Sequence, residues 1–537
     1  MVLAKPLSSN LRFLLLEADA QLGLFSRYLA SEDADLLAKV MARSGYVYNL
    51  NLRIQHGGDA VGADAMTART VASIAAEVAR IVDLTRDGMQ QFVGLHSGHR
   101  LDLHRFRSSL RMVAKQLAQV EKALQKRDTP LALKIGQGEA ALNRRYYALR
   151  KRLTAQLKDT GHPEDLVTGL MVARMLAQMG EALLRISEEL ISHNLGQPMD
   201  MPRFHALQQA VDGWKGDGAM AQMEVTPVAA TRSGSGISAI SGNDASSPQA
   251  IYKNGARRKL KEERRGVKAW HAIYPGVAPK VLSYHKHGDS AGLLIEHLPG
   301  LTFEQIVLHE SVCTMAKAMA ALGETVTAVW RVSRSERCVS ARFVQQTRKR
   351  LADLYAVHPS FRQDRVRIGK LEIPSFARLL AAAERIEKRL APPPSVLIHG
   401  DFNVDNILYD PQREKIHFID LHRATQMDLV QDVSVFMVSN YRLQVFDAPV
   451  RRRIRKQVAD FYAIARKFAN KEHDDTFELR LALGLARSFA TSTRFILDRA
   501  MAKQMFLRAH YLLELVVACD VTKPKQFRLP IKELFYG

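Results

Sequence analysis

Cysteine is scarce in this sequence, with three among 537 residues, at Cys313, Cys338 and Cys519. They are widely spaced and form no CxxC pair, which excludes a zinc-finger framework and a disulfide-stapled secreted domain. No uninterrupted apolar run approaches the length of a membrane span. The first six residues also lack the basic start, apolar stretch and cleavage site of a secretory signal. We therefore expect a cytoplasmic protein without a transmembrane segment.

Acidic residues are under-represented, because 77 Lys and Arg face 55 Asp and Glu, for a formal charge of +22. Such an excess suits nucleic-acid binding, but the basic residues are spread along both halves without zinc-finger spacing or an aromatic RNA-binding signature. The densest run, Arg451 to Lys456, lies in a helical pattern. We predict no specific nucleic-acid partner. The charge could still attract anionic substrates, nucleotides or a membrane surface through peripheral contact.

Proline is absent between Pro6 and Pro130, where apolar residues recur at helical spacing. A second set of helical patterns continues to residue 195. The two sets resemble each other, since each contains a helix that begins after an aspartate, Asp33 in the first and Asp128 in the second. The pattern predicts an all-α tandem pair of three-helix units.

The composition then shifts toward small residues, and we assign a helical domain to residues 1–200 and a linker to 201–223. Three strand-like segments with a glycine-rich first turn open a second domain at residue 224. A helix and two more strand-like segments complete a small lobe over about 224–300. The remainder, 301–537, is mostly helical. The predicted fold class is multidomain, α followed by α+β.

The stretch from Ser395 to Asp420 has short apolar strands around two polar clusters, with a turn that begins at Asp410. Such a hairpin would bring Asp401 and Asn406 beside Asp420. Phosphoryl transfer needs this grouping, because one carboxylate orients the attacking hydroxyl and accepts its proton while oxygen ligands hold Mg²⁺ against the phosphates.

This stretch resembles the aminoglycoside phosphotransferase and choline kinase family, whose catalytic loop reads H-x-D-x-x-x-x-N. The resemblance implies a bilobal protein-kinase-like domain over 224–537 that uses ATP and Mg²⁺. It also implies that His399 braces the loop, that Asp401 is the catalytic base, and that Asn406 and Asp420 bind the metal.

The same resemblance assigns the upstream residues to ATP binding. Lys253 would contact the phosphates, with Glu263 (or Glu262) on the next helix as its ion-pair partner. The remaining assignments are a loop over the phosphates and a hinge that receives adenine: Gly234, Ser235 and Gly236 for the loop, and Glu296 and Leu298 for the hinge. Asp432 resembles a downstream structural aspartate.

Two departures bear on the acceptor. Protein kinases place an arginine before the catalytic aspartate, where it meets a phosphorylated activation loop, but this chain has Gly400. No Ala-Pro-Glu sequence follows Asp420. These differences favour a small-molecule hydroxyl acceptor over a protein. Amino-sugars, sugars and amino alcohols all remain open as acceptors.

The N-terminal helices resemble PhoU, the regulator of bacterial phosphate uptake. The family carries an E-R-I-G-D metal-binding signature, and here its leading acids are replaced by Ala79 and Ala177, while the trailing acids survive as Asp83 and Glu181. Losing half the carboxylates should weaken a metal site severely. A generic bundle for docking a protein partner or for self-association is the alternative.

Two functions follow. The first is an ATP-dependent phosphotransferase acting on a small-molecule hydroxyl under control of the helical domain. The alternative is a nucleotide-binding regulator of phosphate uptake with little or no turnover.

Overall fold

The computed structural model describes residues 5–57, 65–93, 95, 101–157, 163–215, 223–230, 236–242, 249–363 and 366–535. The chain divides into two compact units, residues 1–248 and 249–537. The division falls after the predicted start of the second domain at residue 224, because the first two predicted strands are grouped with the helical unit.

The first unit is predominantly helical and confirms the tandem three-helix prediction. Each group contains three helices, one of which is interrupted: the second helix in the first group and the first helix in the second group. The first group is α1 (Lys5–Ser31), α2 (Ala34–Met41), α3 (Ser44–Gly57) and α4 (Ala65–Val93), and the second is α5 (Leu103–Leu117), α6 (Val120–Lys126), α7 (Thr129–Gln156) and α8 (Pro163–Leu195).

The two aspartates singled out in the sequence are helix caps. The Asp33 carboxylate accepts the Asp35 N–H at 2.9 Å, and the Asp128 carboxylate accepts the Leu131 N–H at 2.8 Å. Each satisfies a backbone donor that has no partner inside the helix, which fixes where the helix begins. Helix α8 packs against both α4 and α7, so the two groups share one core.

Residues 201–215, placed in the predicted linker, instead form helix α9 (Met201–Lys215). Its apolar side chains were obscured by the small polar residues that follow, and Phe204, Leu207 and Val211 are buried. The rest of the predicted linker, 216–222, lies outside the described residues. Strands β1 (Met223–Ala230) and β2 (Gly236–Gly242) then form an antiparallel hairpin.

The second unit begins with an antiparallel sheet in the order β3-β5-β4 and one helix packed on it. The helix and the last three strands of the predicted small lobe are therefore present. The elements are β3 (Ala250–Ala256), α10 (Arg257–Ile273), β4 (Val281–His287) and β5 (Ser290–Glu296). Leu260 of α10 is buried with Leu293 and Ile295 of the central strand, which fixes the helix on the sheet.

The remainder is helical, as predicted, and surrounds short strands. The helices are α11 (Phe303–His309), α12 (Val312–Val332), α13 (Phe343–Arg348), α14 (Leu351–Val357), α15 (Phe376–Glu387), α16 (Val430–Tyr441), α17 (Ala448–Lys471), α18 (Phe477–Ser492), α19 (Arg499–Ala518) and α20 (Ile531–Leu534). The strands are β6 (Leu301–Thr302), β7 (Ser335–Cys338), β8 (Val366–Ile368), β9 (Leu371–Ile373), β10 (Pro394–Ile398), β11 (Ile407–Asp410), β12 (Lys415–Phe418) and β13 (Thr425–Met427). They pair as β12-β11-β6, β13-β10-β7 and β8-β9.

Among the described residues, α8 and α12 are long and apolar enough to cross a membrane by length and composition alone. In the structure their most apolar windows are 56% and 44% buried, and both helices pack against other helices of their own unit. This evidence for membrane spans is weak, because core helices of folded domains have the same character.

Candidate active site

The predicted hairpin exists and brings the polar residues together. Strand β10 ends at Ile398, and β11 returns beside β12 with Ile407 opposite Phe418. The Ile419 N–H donates to the Asn406 carbonyl at 3.1 Å. This bond joins the end of the 399–406 loop to the residue before Asp420, so the loop and the strand end meet as the sequence predicted.

Buried His399 braces the loop from inside. Its Nε2 lies 2.9 Å from the Ile419 carbonyl, and its Nδ1 lies 3.3 Å from the Asp401 N–H. A carbonyl only accepts and an amide N–H only donates, so the ring carries its proton on Nε2 and is neutral. Burial lowers the pKa of His399, which also favours the neutral ring. The geometry suits the bracing role.

Asp432, near the start of α16, holds the same loop from the other side. Its carboxylate accepts the backbone N–H groups of His399 at 2.6 Å and Gly400 at 2.8 Å. Burial raises the pKa of Asp432 to about 7, although the two N–H donors act in the opposite direction. The residue is therefore a fixed anchor of the loop backbone.

The backbone conformation at position 400 explains why glycine, and not the arginine of protein kinases, precedes Asp401. Its φ is +81°, a conformation that side chains with a Cβ rarely adopt, and a Cβ here would lie 2.4 Å from the Arg423 carbonyl oxygen. The loop must therefore carry glycine between the bracing histidine and the aspartate. Phe402 on the far side of Asp401 is buried against Phe418, with ring centroids 5.3 Å apart.

The Asp401 carboxylate is held at both oxygens. Oδ1 accepts from Asn403 Nδ2 at 3.0 Å, and Oδ2 lies 3.3 Å from Arg423 Nη1. Asn403 is itself held by Arg442, whose Nη2 donates to its side-chain oxygen at 3.1 Å. These contacts orient a carboxylate on a rigid loop, which is what a positioned base requires.

Asn406 and Asp420 fit a magnesium ion by their donor chemistry. The Asn406 amide nitrogen donates to the Asp401 carbonyl at 2.8 Å, which leaves its side-chain oxygen as a ligand. Burial alone would raise the pKa of Asp420, but His422 and Lys253 outweigh it and hold the pKa below its usual range. The carboxylate is thus ionised, and hard oxygen donors of this kind are what Mg²⁺ prefers.

Lys253 lies between two acids. Its Nζ is 2.5 Å from Glu263 Oε1 and 3.7 Å from Asp420 Oδ1. Burial alone would lower the pKa of Lys253, but the two carboxylates raise it and keep the ammonium charged. The structure places Glu263 rather than Glu262 in this contact, because Glu262 points to Arg258 on the exposed side of the helix.

In the hinge segment, Glu296 forms a hydrogen bond within the protein and the Leu298 N–H does not. The Glu296 side chain accepts the Lys280 N–H at 3.1 Å, which ties the end of β5 to the start of β4. Within the described part of the chain, the Leu298 N–H has no hydrogen-bond partner and is free for a ligand. Gly234 and Ser235 lie outside the described residues, and Gly236 is the first residue of β2.

Three neighbours of the site had no role assigned to them from the sequence. His422 Nδ1 lies 3.2 Å from Asp420 Oδ1, Arg423 contacts Asp401, and Gly266 of α10 packs directly on Leu421. His422 and Arg423 could have been proposed as site residues, because they follow Asp420 closely in the sequence. Nothing in the sequence around Gly266 indicates that it lies next to the site.

In the helical unit the surviving acids of the signature are engaged by arginines. Asp83 pairs with Arg86, and Glu181 pairs with Arg174 at 3.0 Å. Across the described ranges, no group of three or more His, Cys, Asp or Glu side chains is arranged to hold a metal ion.

Comparison with known families follows the same division. Residues 252–469 match the model of the phosphotransferase enzyme family, and residues 106–190 match that of the PhoU domain. The chain is PhoU-like in its N-terminal half and phosphotransferase-like in its C-terminal half. The phosphotransferase-like half contains every residue of the candidate site except the predicted glycine loop.

Several solved structures are similar to parts of the chain. PhoU from Streptococcus pneumoniae is 16% identical, with 36% of this chain and 96% of that chain covered and a TM-score of 0.34. An aminoglycoside-3'-phosphotransferase of type VIII is 18% identical, with 53% and 97% covered and a TM-score of 0.35. The streptomycin–ATP–APH(2")-IIa ternary complex is 12% identical, with 59% and 98% covered and a TM-score of 0.36. No curated protein sequence matches the chain.

Proposed function

We propose that the phosphotransferase-like unit transfers the γ-phosphoryl group of ATP to a hydroxyl of a small molecule in the cytoplasm. The observation that supports this most is the convergence of Asp401, Asn406, Asp420 and Lys253, each with a partner that fixes its position. The hydroxyl oxygen forms a bond to the γ-phosphorus, the bond to the bridging oxygen breaks, and ADP leaves.

Each side chain has one task in this proposal. Asp401 orients the acceptor hydroxyl and takes its proton, while His399 and Asp432 hold the loop. Lys253, kept charged by Glu263, neutralises phosphate oxygens of ATP. Mg²⁺, held by Asn406 and Asp420, would supply further neutralisation of the phosphates. The free Leu298 N–H and the adjacent Glu296 carbonyl suit recognition of adenine.

The test is Asp401→Asn, which keeps the shape of the side chain and removes the base. We expect Mg-ATP affinity to be retained and turnover to fall by at least about two orders of magnitude. Asp460→Asn, which removes an exposed carboxylate paired with Lys456 on α17, is the matched control. Near-normal turnover in the purified Asp401→Asn protein would contradict the proposed mechanism.

We propose that the PhoU-like unit regulates this activity through a protein partner or through self-association. Phe13 and Leu16 support a docking role, because both are more than half exposed and lie three residues apart on α1.

A second candidate is a nucleotide-binding regulator of phosphate uptake, and the PhoU match over 106–190 favours it. The two are separated by measuring ATP turnover over a metabolite panel together with nucleotide-induced thermal stabilisation. Stabilisation by Mg-ATP without turnover on any metabolite would favour the regulator.

A further inference from the structure

Arginines from three separate segments interact with the candidate base, and a fourth arginine lies near one of them. Arg423 contacts the Asp401 carboxylate at 3.3 Å. Arg350, the residue before α14, and Arg487, in α18, both interact electrostatically with Asp401 and with each other. Arg494, in the turn after α18, lies close enough to Arg350 to repel it. Positive charges are thus concentrated near the catalytic loop.

The nearby carboxylates do not account for all of these cations. Asp401 forms an ion pair with Arg423, and Asp353 lies 3.6 Å from Arg494. Asp432 attracts Arg487 electrostatically, but its carboxylate oxygens accept hydrogen bonds from the backbone of the catalytic loop rather than from a guanidinium. In the part of the chain that the structure describes, Arg350 and Arg487 form no ion pair with any carboxylate.

Arg487 is the more telling of the two, because its side chain is buried. It is 6% exposed, and its single hydrogen bond among the described residues runs from Nη1 to Ser488 Oγ at 3.2 Å. Its Nε and Nη2 are buried without a hydrogen-bond partner. Burying a cation whose donors are unmet is costly unless something else meets them.

The cation nevertheless persists at neutral pH. Burial and the repulsion from Arg350 lower the pKa of Arg487 to about 9, and burial with Arg494 and Arg423 lowers the pKa of Arg350. A planar guanidinium with two unused donors matches the paired oxygens of a phosphate or carboxylate.

We propose that Arg350, Arg423 and Arg487 form an acceptor subsite for an anionic group, so that the substrate is an alcohol carrying a phosphate or a carboxylate. The inference rests on the proposed phosphotransfer. The anionic group would be held by the arginines while the hydroxyl of the same molecule faces Asp401. Cationic acceptors such as amino-sugars and amino alcohols are disfavoured, because the positive charge of the arginines would repel them.

The test uses the full chain saturated with Mg²⁺ and the non-hydrolysable ATP analogue AMP-PNP, which occupies the γ-phosphate position. Inorganic phosphate is titrated into this complex by calorimetry. We expect binding that weakens at least tenfold in Arg350→Gln and recovers in part in Arg350→Lys. Arg350 is half-buried at a helix start, so its replacement is less disruptive than that of Arg487. Arg331→Gln, an exposed arginine of α12, is the control with unchanged affinity.

Glycerol 3-phosphate and glycerate, titrated in parallel, distinguish a phosphate from a carboxylate as the recognised group. Glycerol and ethanolamine supply the neutral and cationic counterparts, and we expect them to bind at least tenfold more weakly. If Mg–AMP-PNP fails to bind, the proposed phosphotransfer is refuted and this inference with it. If the nucleotide binds but phosphate affinity is absent, or is equal in wild type and Arg350→Gln, the anionic acceptor alone is overturned.

Discussion

Gly266 offers a sharp test of how α10 is coupled to the candidate site. A Cβ at this position would lie 2.0 Å from the Leu421 carbonyl oxygen, and Cβ atoms essentially never approach other atoms closer than 3.0 Å. The backbones of α10 and of the residue after Asp420 would therefore have to separate by about 1 Å. Glu263 lies one turn earlier on the same face of α10, so the shift would disturb the Lys253 contacts on both sides.

Two opposing effects determine how much Gly266→Ala changes the free energy of unfolding. Alanine improves helix propensity by about 1 kcal/mol, whereas overpacking a filled site costs about 1 to 3 kcal/mol and more when backbone must move. We expect a net loss of about 2 kcal/mol in the free energy of unfolding. A displacement of about 1 Å among reacting groups should also lower turnover about 100-fold.

Gly323→Ala is the matched control in the same unit. Its Cβ would lie 2.8 Å from Ile464 Cδ1, the end of a side chain that can rotate away, so we expect a stability change below about 1 kcal/mol. Stability is measured by urea denaturation followed by tryptophan fluorescence, because Trp270 and Trp330 are buried in this unit. Gly266→Ala protein with unchanged stability and unchanged ATP turnover would refute the coupling.

Two more predictions concern the buried charges. Lys253→Ala should raise the apparent KM for ATP and lower kcat. Adding Glu263→Gln should restore stability without restoring the rate, because it removes a buried carboxylate that has lost its cation. Unchanged ATP kinetics in Lys253→Ala would mean that another lysine binds the phosphates. For Asp432, a pKa of about 7 lies above the unfolded value, so the native protein binds more protons between about pH 4 and 7 and is destabilised as the pH rises through that window. In Asp432→Asn this part of the pH dependence, on the order of 2 kcal/mol between pH 5 and 7, should disappear from urea denaturation curves, and identical pH dependence in both proteins would contradict it.

The part of the site that the residues alone predicted lies within one short stretch of the chain, whereas Lys253 and Glu263 were predicted only through the family resemblance. Asp401, Asn406 and Asp420 occupy one hairpin, whose register follows from short apolar strands and a turn at Asp410. The small sheet and its helix were predictable for the same reason, because alternation and helical periodicity are local signals. Helix α9 was not predicted, because its short apolar pattern precedes a run of small residues whose composition is typical of a linker.

Contacts between distant segments could not be predicted in this way. The approach of Gly266 to Leu421 joins residues far apart in the chain, and neither residue is unusual in its own surroundings. Glu262 and Glu263 are also indistinguishable by composition, and only the face of α10 that packs on the sheet selects Glu263.

The net positive charge of the sequence likewise does not predict which basic residues act in the site. A net charge of +22 is a sum, and most of its contributors lie on exposed faces where water screens them and where they indicate no particular partner. Function depends instead on where a cation is left uncompensated. Arg350 and Arg487 come from different helical segments, and neither follows a recognisable motif, yet the fold brings both to the side of Asp401. Reversing or removing exposed charges elsewhere should therefore leave phosphate binding unchanged, while a single neutral residue at position 350 should weaken it.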